Sequence, residues 1–272
     1  MLPVLLDLPF IKIYTFGVFL VLAFFWSAFL LWKNFLLTSY KEEEIFDQLF
    51  LGLVGGLLVS RIVYVALHFS EFGLSLLKFI LINGYPGLSL YGFLFGFLVA
   101  VYLSMSRTKI KFSEAIDYFV PSAFIALAFG KIGAFFSGVE VGSKTNFLLK
   151  LKFVGADGMR HLTPLYEGFL FFIGAFIAYQ LLFSIRRSKF SKGTNLYFFL
   201  WFTGLVVACA DLLKEQSNFI VQGLSVNALV SYVLLLTFSA YFIYYFRSSV
   251  QAYVKNIFKG FNKKSQGASR KG

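Results

Sequence analysis

Ionisable and hydroxyl-bearing side chains interrupt segments of this sequence that are otherwise almost entirely apolar. A charge at the centre of a bilayer costs about 2.5–3.5 kcal/mol on insertion scales, so such a residue is by default a candidate for function. Lysine and arginine can hold an anionic group there, and tyrosine or glutamate can take part in proton transfer. The candidates in or near apolar segments are Arg61, Tyr91, Lys131, Glu167, Asp211 and Lys214.

The segments that position these residues have the length and composition of membrane-spanning helices. Hydrophobic residues make up 58% and charged residues 14% of the 272 residues, and about 20 apolar residues in a helix cross the hydrocarbon core. The apolar runs are continuous and lack the alternation of a β-barrel. We predict an all-α, polytopic membrane bundle of about seven transmembrane helices, at approximately residues 11–33, 45–67, 86–105, 114–136, 163–185, 194–213 and 222–246.

The distribution of positive charge predicts the orientation of this bundle. Segments 33–44, 106–113, 186–192 and 247–272 hold 16 of the 25 lysine and arginine residues and would share one side of a seven-helix bundle. The positive-inside rule makes that side cytoplasmic, so we expect the N-terminus outside and the C-terminus in the cytoplasm. The chain then divides into a transmembrane bundle, residues 1–246, and a basic cytoplasmic tail, residues 247–272, that we expect to be disordered.

The predicted topology also explains the net charge of +12. We attribute it to the cytoplasmic segments and to attraction of the tail to anionic membrane lipids, rather than to nucleic-acid binding. Cysteine is limited to Cys209, and histidine to His68 and His161, which disfavours a disulfide framework or a metal centre. The sequence has no P-loop or dinucleotide fingerprint, and we expect no cofactor.

Four of the candidate residues are predicted to lie at one depth. Arg61 falls in the outward half of its helix, Lys131 about one turn from its outer end, and Tyr91 and Glu167 near the outer starts of theirs. They therefore converge near the headgroups of the outer leaflet. Snorkelling of a long cation to interfacial water explains Lys131 or Arg61 equally well when either is considered alone. The shared depth favours a functional site.

Small residues indicate that helices approach closely around these positions. Glycine or serine recurs at four-residue spacing in the second and third predicted helices, a pattern typical of tight helix contacts in membranes. Gly130 and Gly133 are expected to leave space around Lys131. Ordinary helix packing explains such stripes equally well. The stripe residues are Gly52, Gly56, Ser60, Gly92 and Gly96.

A set of short motifs, taken in order, resembles a known family of membrane enzymes. The motifs are PGLSLYG at 86–92, Asp117, GKIGAFFSG at 130–138 with Gly142, RHLTPLYE at 160–167, and GLS at 223–225. Their order and spacing resemble the prolipoprotein diacylglyceryl transferase family over nearly the whole chain, from Tyr14 to about residue 246. The order of all the motifs is more specific than any one of them.

Several positions of the family's motifs carry other residues in this chain. Lysine at 131 can hold a phosphate as a point charge but cannot form the bidentate fork of a guanidinium. Glu140 lies next to the lost acidic position and is a candidate to substitute for it. The departures are Lys131, Ala134, Ser137 and Val139 in place of arginine, asparagine, asparagine and glutamate, Val207, Asp211 and Lys214 in place of arginine, glutamate and arginine, Tyr91 in place of the usual histidine, and Leu162 and Pro164 in the RHLTPLYE motif.

The resemblance implies transfer of a diacylglyceryl group from phosphatidylglycerol to the lipobox cysteine of a preprolipoprotein, with release of glycerol phosphate. It also implies a multi-pass protein of the bacterial inner membrane, with phosphatidylglycerol, preprolipoprotein signal peptides and membrane lipids as partners. By the matched positions, the catalytic residues are Tyr91, Lys131, His161 and Glu167. Lipid or phosphate would be bound by Arg61, Lys131, Arg160, Lys214 and Tyr14, with Gly92, Gly130, Gly133, Gly142 and Asp211 in support.

Two other functions remain open from the sequence. A lipid-binding protein that kept the bundle and lost the chemistry would explain Val207 and Ala134 at motif positions. A small-solute transporter has less support, because the charges cluster at one depth and no inverted repeat is visible.

Overall fold

The structure, a computed structural model, describes residues 3–8, 10, 12–82, 84–214 and 225–269, with side chains described through Arg247. Short helices and hairpins connect the long helices. The helices are α1 Thr15–Phe35, α2 Glu42–Leu67, α3 Phe69–Phe72, α4 Leu76–Ile80, α5 Leu90–Met105, α6 Phe112–Ser137, α7 Thr163–Arg186, α8 Thr194–Asp211 and α9 Val226–Ser269. The strands form two antiparallel pairs, β1 Val4–Asp7 with β2 Lys12–Tyr14, and β3 Lys150–Leu151 with β4 Arg160–His161.

The predicted helical membrane bundle is confirmed at the level of its helices. Within the described residues, six helices are long and apolar enough to cross a membrane: α1, α2, α6, α7, α8 and the Val226–Arg247 part of α9. The seventh predicted span corresponds to α5, which is apolar but has 16 residues, about 24 Å at 1.5 Å per residue. The count of seven and the orientation remain predictions, as does the disordered tail, whose residues 247–269 the structure describes as a continuation of α9.

Two predicted spans begin later than the hydrophobicity indicated. Residues 12–14, at the start of the predicted span 11–33, form strand β2. Residues 86–89 are not helical, because Gly87 has a φ of +147° and Ser89 caps α5 by accepting a hydrogen bond from the Gly92 amide at 3.1 Å. Residues 222–224 of the last predicted span, with part of the GLS motif, lie outside the described residues.

Helices α2 and α5 pack through small residues, as the sequence predicted. A Cβ atom on Gly96 would lie 2.6 Å from the carbonyl oxygen of Gly55, and one on Gly92 would lie 3.0 Å from the Cα of Ser60. The backbones are therefore in contact, and a methyl group would push them apart. The predicted small residues in this interface are Gly52, Gly56, Ser60, Gly92 and Gly96.

Helix α6 ties together the helices around it. It packs against α1, α7 and α8, and its fully buried Asp117 caps the start of α8. The Asp117 carboxylate accepts hydrogen bonds from the amides of Gly193 at 2.6 Å, Asn195 at 3.0 Å and Leu196 at 3.3 Å. The first amides of a helix have no partner within that helix, so this carboxylate joins the starts of α6 and α8.

Candidate active site

Two lysines and two glutamates form a closed ring of alternating charges. The Lys131 Nζ lies 2.8 Å from both carboxylate oxygens of Glu140 and 2.8 Å from Oε2 of Glu167. The Lys214 Nζ lies 3.0 Å from Oε2 of Glu140 and 3.1 Å from Oε1 of Glu167. Each lysine thus contacts both carboxylates, and the four formal charges cancel. We call Lys131, Glu140, Glu167 and Lys214 the charge ring.

Helix ends and one tight turn bring the ring together. Lys131 lies near the end of α6 and Glu167 in the second turn of α7, while Lys214 follows the end of α8. After α6, Gly138 adopts the left-handed conformation with φ +74°, and its amide donates to the carbonyl of Ala134 at 3.0 Å. This turn reverses the chain, so Glu140 returns to the side chain of Lys131.

Gly142 holds the segment after Glu140 against Lys214. The two residues form an antiparallel bridge, next to a 2.8 Å hydrogen bond from the Ser143 amide to the carbonyl of Leu213. A Cβ on Gly142 would lie 2.7 Å from Oγ1 of Thr163 and would also collide with the carbonyl oxygen of His161. The predicted supporting role of Gly142 therefore has a steric reason.

Burial divides the ring into a deep side and an open side. The side chain of Glu167 is 1% exposed and that of Lys131 13%, whereas Lys214 is 25% and Glu140 33% exposed. Burial opposes ionisation of Glu140, but attraction to Lys131 and Lys214 outweighs burial and holds its pKa well below its usual range. Glu140 is therefore an ionised carboxylate at the open side.

Tyr91 lies beside the ring with its hydroxyl hydrogen already engaged. The Ser231 hydroxyl donates to the carbonyl of Asn227 at 2.6 Å, so its oxygen accepts the hydrogen of the Tyr91 hydroxyl at 2.5 Å. The Tyr91 hydroxyl is within electrostatic range of Lys131, Glu167 and Asp211. As the donor to Ser231, the Tyr91 hydroxyl keeps an oxygen that can accept a further hydrogen bond.

The two glycines beside Lys131 have different surroundings. A Cβ on Gly130 would have no neighbour within 4 Å, so this position leaves open space as predicted. A Cβ on Gly133 would lie 2.5 Å from the Cβ of Phe19 on α1. Gly133 therefore lets the neighbouring helix α1 come close to α6, and open space lies at Gly130 alone of the two.

Arg61 lies in a contact network of its own. Its guanidinium donates to the carbonyls of Phe79 at 2.9 Å, Gly87 at 2.8 Å and Lys78 at 2.7 Å, and it is 5.0 Å from the ring centroid of Phe72. These contacts hold the connection between α2 and α5. The structure does not bring Arg61 into the charge ring, and its phosphate-binding role remains a prediction.

The other predicted site residues lie outside the ring. Arg160 is buried and donates to the carbonyls of Gly142 at 3.1 Å and Asp157 at 3.2 Å. The Nδ1 atom of His161 is buried and has no hydrogen-bond partner within the described part of the chain. Asp211 accepts a 2.8 Å hydrogen bond from Ser225, and Tyr14 is 58% exposed just before α1.

Sequence reasoning missed one residue that contacts a predicted site residue. Ser231 is fully buried on α9 and is the hydrogen-bond acceptor of Tyr91. A serine in an apolar span is a weak signal, because serine hydroxyls commonly bond to their own helix. Val207, at the position of a missing motif arginine, lies in the apolar core beside α7. Among the described residues, no cluster of three or more His, Cys, Asp or Glu could hold a metal ion.

Comparisons with known proteins identify one family. The family model described as prolipoprotein diacylglyceryl transferase matches residues 3–244. A phosphatidylglycerol–prolipoprotein diacylglyceryl transferase of Clostridium tetani is 28% identical over 238 residues, which cover 85% of this chain and 92% of that protein. Proteins of the same name from Rickettsia bellii and Finegoldia magna are 29% and 27% identical, over 74% and 73% of this chain and 76% and 77% of theirs. The chain belongs to the prolipoprotein diacylglyceryl transferase family.

Proposed function

We propose that this protein transfers the diacylglyceryl group of phosphatidylglycerol to the cysteine thiol of a prolipoprotein and releases glycerol phosphate. The observation that carries the proposal is the charge ring, in which Lys131 of α6 and Lys214, which follows α8, meet at one partly open site. Family membership and the names of the relatives support the same reaction. A lipid-binding protein without chemistry is not favoured by these comparisons.

The reaction requires stabilisation of a leaving phosphate. The cysteine sulfur forms a bond to the terminal glycerol carbon of the diacylglyceryl group, and the bond from that carbon to the phosphate oxygen breaks. The electron pair stays on the oxygen, so negative charge grows there in the transition state. Lys131 and Lys214 supply two fixed ammonium groups in a site of low dielectric, where such charges stabilise the transition state most strongly.

The thiol proton requires an acceptor, and the sequence offered three candidates. Both oxygens of Glu167 contact lysines, so this carboxylate positions Lys131 and Lys214. The hydroxyl hydrogen of Tyr91 is engaged by Ser231, so we assign Tyr91 to orienting the lipid. His161 has a ring nitrogen without a hydrogen-bond partner in the described residues, and imidazole is the commonest general base in enzymes. We therefore propose that His161 accepts the thiol proton.

The remaining predicted residues support the site in our proposal. Arg160 holds the segment at Gly142, Arg61 holds the segment at Gly87, and exposed Tyr14 contacts lipid at the start of α1. We place the protein in a bacterial inner membrane, with α5 as the seventh span and the charge ring near the outer leaflet. The prolipoprotein would enter through its signal peptide, and the tail after residue 246 would lie in the cytoplasm.

The test is transfer from labelled phosphatidylglycerol to a lipobox peptide by the purified protein in detergent. Wild type should transfer label, and Lys131→Ala should reduce the rate by about 10²-fold or more, as for loss of a group that stabilises transition-state charge. Lys152→Ala removes an exposed lysine of the 138–162 loop and is the matched control. Unchanged transfer by Lys131→Ala would contradict the role assigned to Lys131. A wild-type protein that binds lipid but transfers no label would contradict the proposed transferase activity.

A further inference from the structure

In the charge ring, the Lys131 Nζ has three N–H donors and already lies 2.8 Å from three carboxylate oxygens, whereas the Lys214 Nζ contacts two. Lys131 and Lys214 each contact both carboxylates, and the four charges sum to zero. A phosphate can therefore contact Lys131 closely, in addition to Lys214, only if a carboxylate withdraws from Lys131. We propose that Glu140 is that carboxylate, a displaceable counter-ion that gives up its place between the lysines to a singly charged phosphodiester headgroup. This inference rests on the proposed function.

Backbone support decides which glutamate can leave. Glu167 is 1% exposed and belongs to helix α7, and the next residue, Gly168, is packed so closely against α6 that its Cβ would lie 3.2 Å from the carbonyl of Ala128. Glu140 is 33% exposed and lies in the loop after the Gly138 turn. Rotation of its side chain moves the carboxylate into water without moving a helix. Glu167 stays and holds the lysines.

Space for the incoming headgroup lies next to the lysine it would reach. Gly130 precedes Lys131, and a Cβ at Gly130 would have no neighbour within 4 Å. In this proposal the headgroup enters beside Gly130, next to Lys131 in the chain, and Glu140 is the group that departs.

Charge balance selects the class of lipid. A phosphodiester carries one negative charge, as Glu140 does, so the exchange leaves the ring neutral. A headgroup that also carries an ammonium group would place a third positive charge beside Lys131 and Lys214, at a cost that grows in low dielectric. The site therefore takes a singly anionic phosphodiester without a cationic group. After the reaction, Glu140 competes with glycerol phosphate for the lysines and promotes release of that product.

The test compares equilibrium binding of phosphatidylglycerol in mixed detergent micelles by four proteins. Glu140→Gln removes the competing charge and should bind the lipid about tenfold more tightly than wild type, equivalent to about 1.4 kcal/mol. Glu140→Asp keeps the charge and should bind within about threefold of wild type. Lys131→Ala should bind more weakly. Equal or weaker binding by a folded Glu140→Gln, as a purely structural Glu140 requires, would overturn the inference.

A measurement on the wild type decides the matter if Glu140→Gln does not fold. The groups that face Glu140 are Lys131 on α6 and Lys214 after α8, with Glu167 of α7 across the ring. A displaced Glu140 regains the ordinary pKa of about 4.3, so lipid binding at about pH 4.3 should take up about half a proton per site. Calorimetry in two buffers of different ionisation enthalpy measures this proton uptake. A result of no uptake would overturn the proposal that the headgroup displaces Glu140.

Binding and catalysis separate this inference from the proposed function. If wild type transfers label and Glu140→Gln binds phosphatidylglycerol no more tightly than wild type, the displacement of Glu140 is wrong and the proposed transferase activity is kept. If wild type transfers no label, the proposed transferase activity is wrong, while the binding comparison still tests whether the headgroup displaces Glu140. In an active enzyme, Glu140→Gln should lower both KM and kcat and be inhibited by about tenfold less glycerol phosphate.

Discussion

Lys131 and Lys214 hold the carboxylate of Glu167 from two sides, at 2.8 Å from Oε2 and 3.1 Å from Oε1. One lysine belongs to α6 and the other follows α8, so a single buried glutamate of α7 fixes the separation of two cations from different helices. That separation sets which anions can contact both lysines at once.

Loss of Glu167 should therefore damage stability as well as transfer. Glu167→Gln leaves two lysines facing one remaining carboxylate, and removing one partner of a buried ion pair costs about 3 kcal/mol. We expect a lower thermal unfolding temperature in detergent and loss of transfer. Glu42→Gln, at an exposed position in the first turn of α2, is the matched control and should be close to neutral. Wild-type stability of Glu167→Gln would contradict the role assigned to this pair.

Lys214 should matter for catalysis, although it follows the end of its helix. Lys214→Ala removes the second ammonium group and should reduce kcat/KM by about 10²-fold. Lys144→Ala, in the 138–162 loop, changes the same residue type outside the charge ring. Rates measured with labelled phosphatidylglycerol compare the two, and an equal effect of both variants would show that Lys214 has no special role.

Ser231 should influence the reaction through Tyr91. Ser231→Ala removes the hydrogen-bond acceptor of the Tyr91 hydroxyl, and we expect kcat to fall about tenfold with little change in KM, from the loss of one orienting hydrogen bond. Ser239→Ala is a matched control on the same helix, because Ser239 accepts a 2.9 Å hydrogen bond from the indole of Trp201. Ser231→Thr keeps the hydroxyl and should retain most of the activity. Parallel losses of kcat in both alanine variants would indicate a general effect on α9.

Close packing of α2 and α5 predicts a steric effect that is independent of the charges. In Gly96→Ala, the added methyl group would lie 2.6 Å from the carbonyl of Gly55, and overpacking of this kind costs about 2 kcal/mol. Gly17→Ala on α1 adds the same group where nothing lies within 4 Å, and it should be neutral or stabilising because alanine favours helix. Thermal unfolding of both variants measures the difference, and equal unfolding temperatures would argue against the tight interface.

The pH dependence of stability should reveal the ion pairs of Glu140. The folded-state pKa of Glu140 lies below its unfolded value of about 4.3, so its contribution is present above that value and lost as pH falls toward the folded pKa. Wild type should therefore unfold at a higher temperature than Glu140→Gln at pH 7. The difference in unfolding temperature between wild type and Glu140→Gln should become smaller below about pH 4.5. A gap that is constant from pH 7 to pH 4 would contradict the lowered pKa.

Apolar length was enough to predict most of the bundle from the sequence. The predicted helix 163–185 corresponds to α7, and the run at 114–136 corresponds to α6. Local backbone conformation was not visible in hydrophobicity, so the helix expected from residue 86 begins at Leu90, after the extended backbone around Gly87.

The candidate site could be predicted only in part, because its geometry depends on turns. Lys131, Glu167 and Lys214 were identified as charged residues in or near apolar spans, and they meet in the charge ring. The approach of Glu140 to these residues depends on the left-handed turn at Gly138, which residue spacing does not reveal. Arg61 looked like the same kind of residue, but its partners are three backbone carbonyls.

The Asp117 carboxylate that caps α8 has a mechanical consequence at the other end of the same helices. It fastens the start of α8 to the first turns of α6, whereas Lys131 lies 14 residues farther along α6, about 21 Å away. The charge ring links the same two helices at their other ends, through ion pairs of Lys131 and Lys214 with Glu167 and Glu140. Helices α6 and α8 are thus held together by polar contacts at both ends, and any parting of the two helices beside Lys131 must first break these ion pairs.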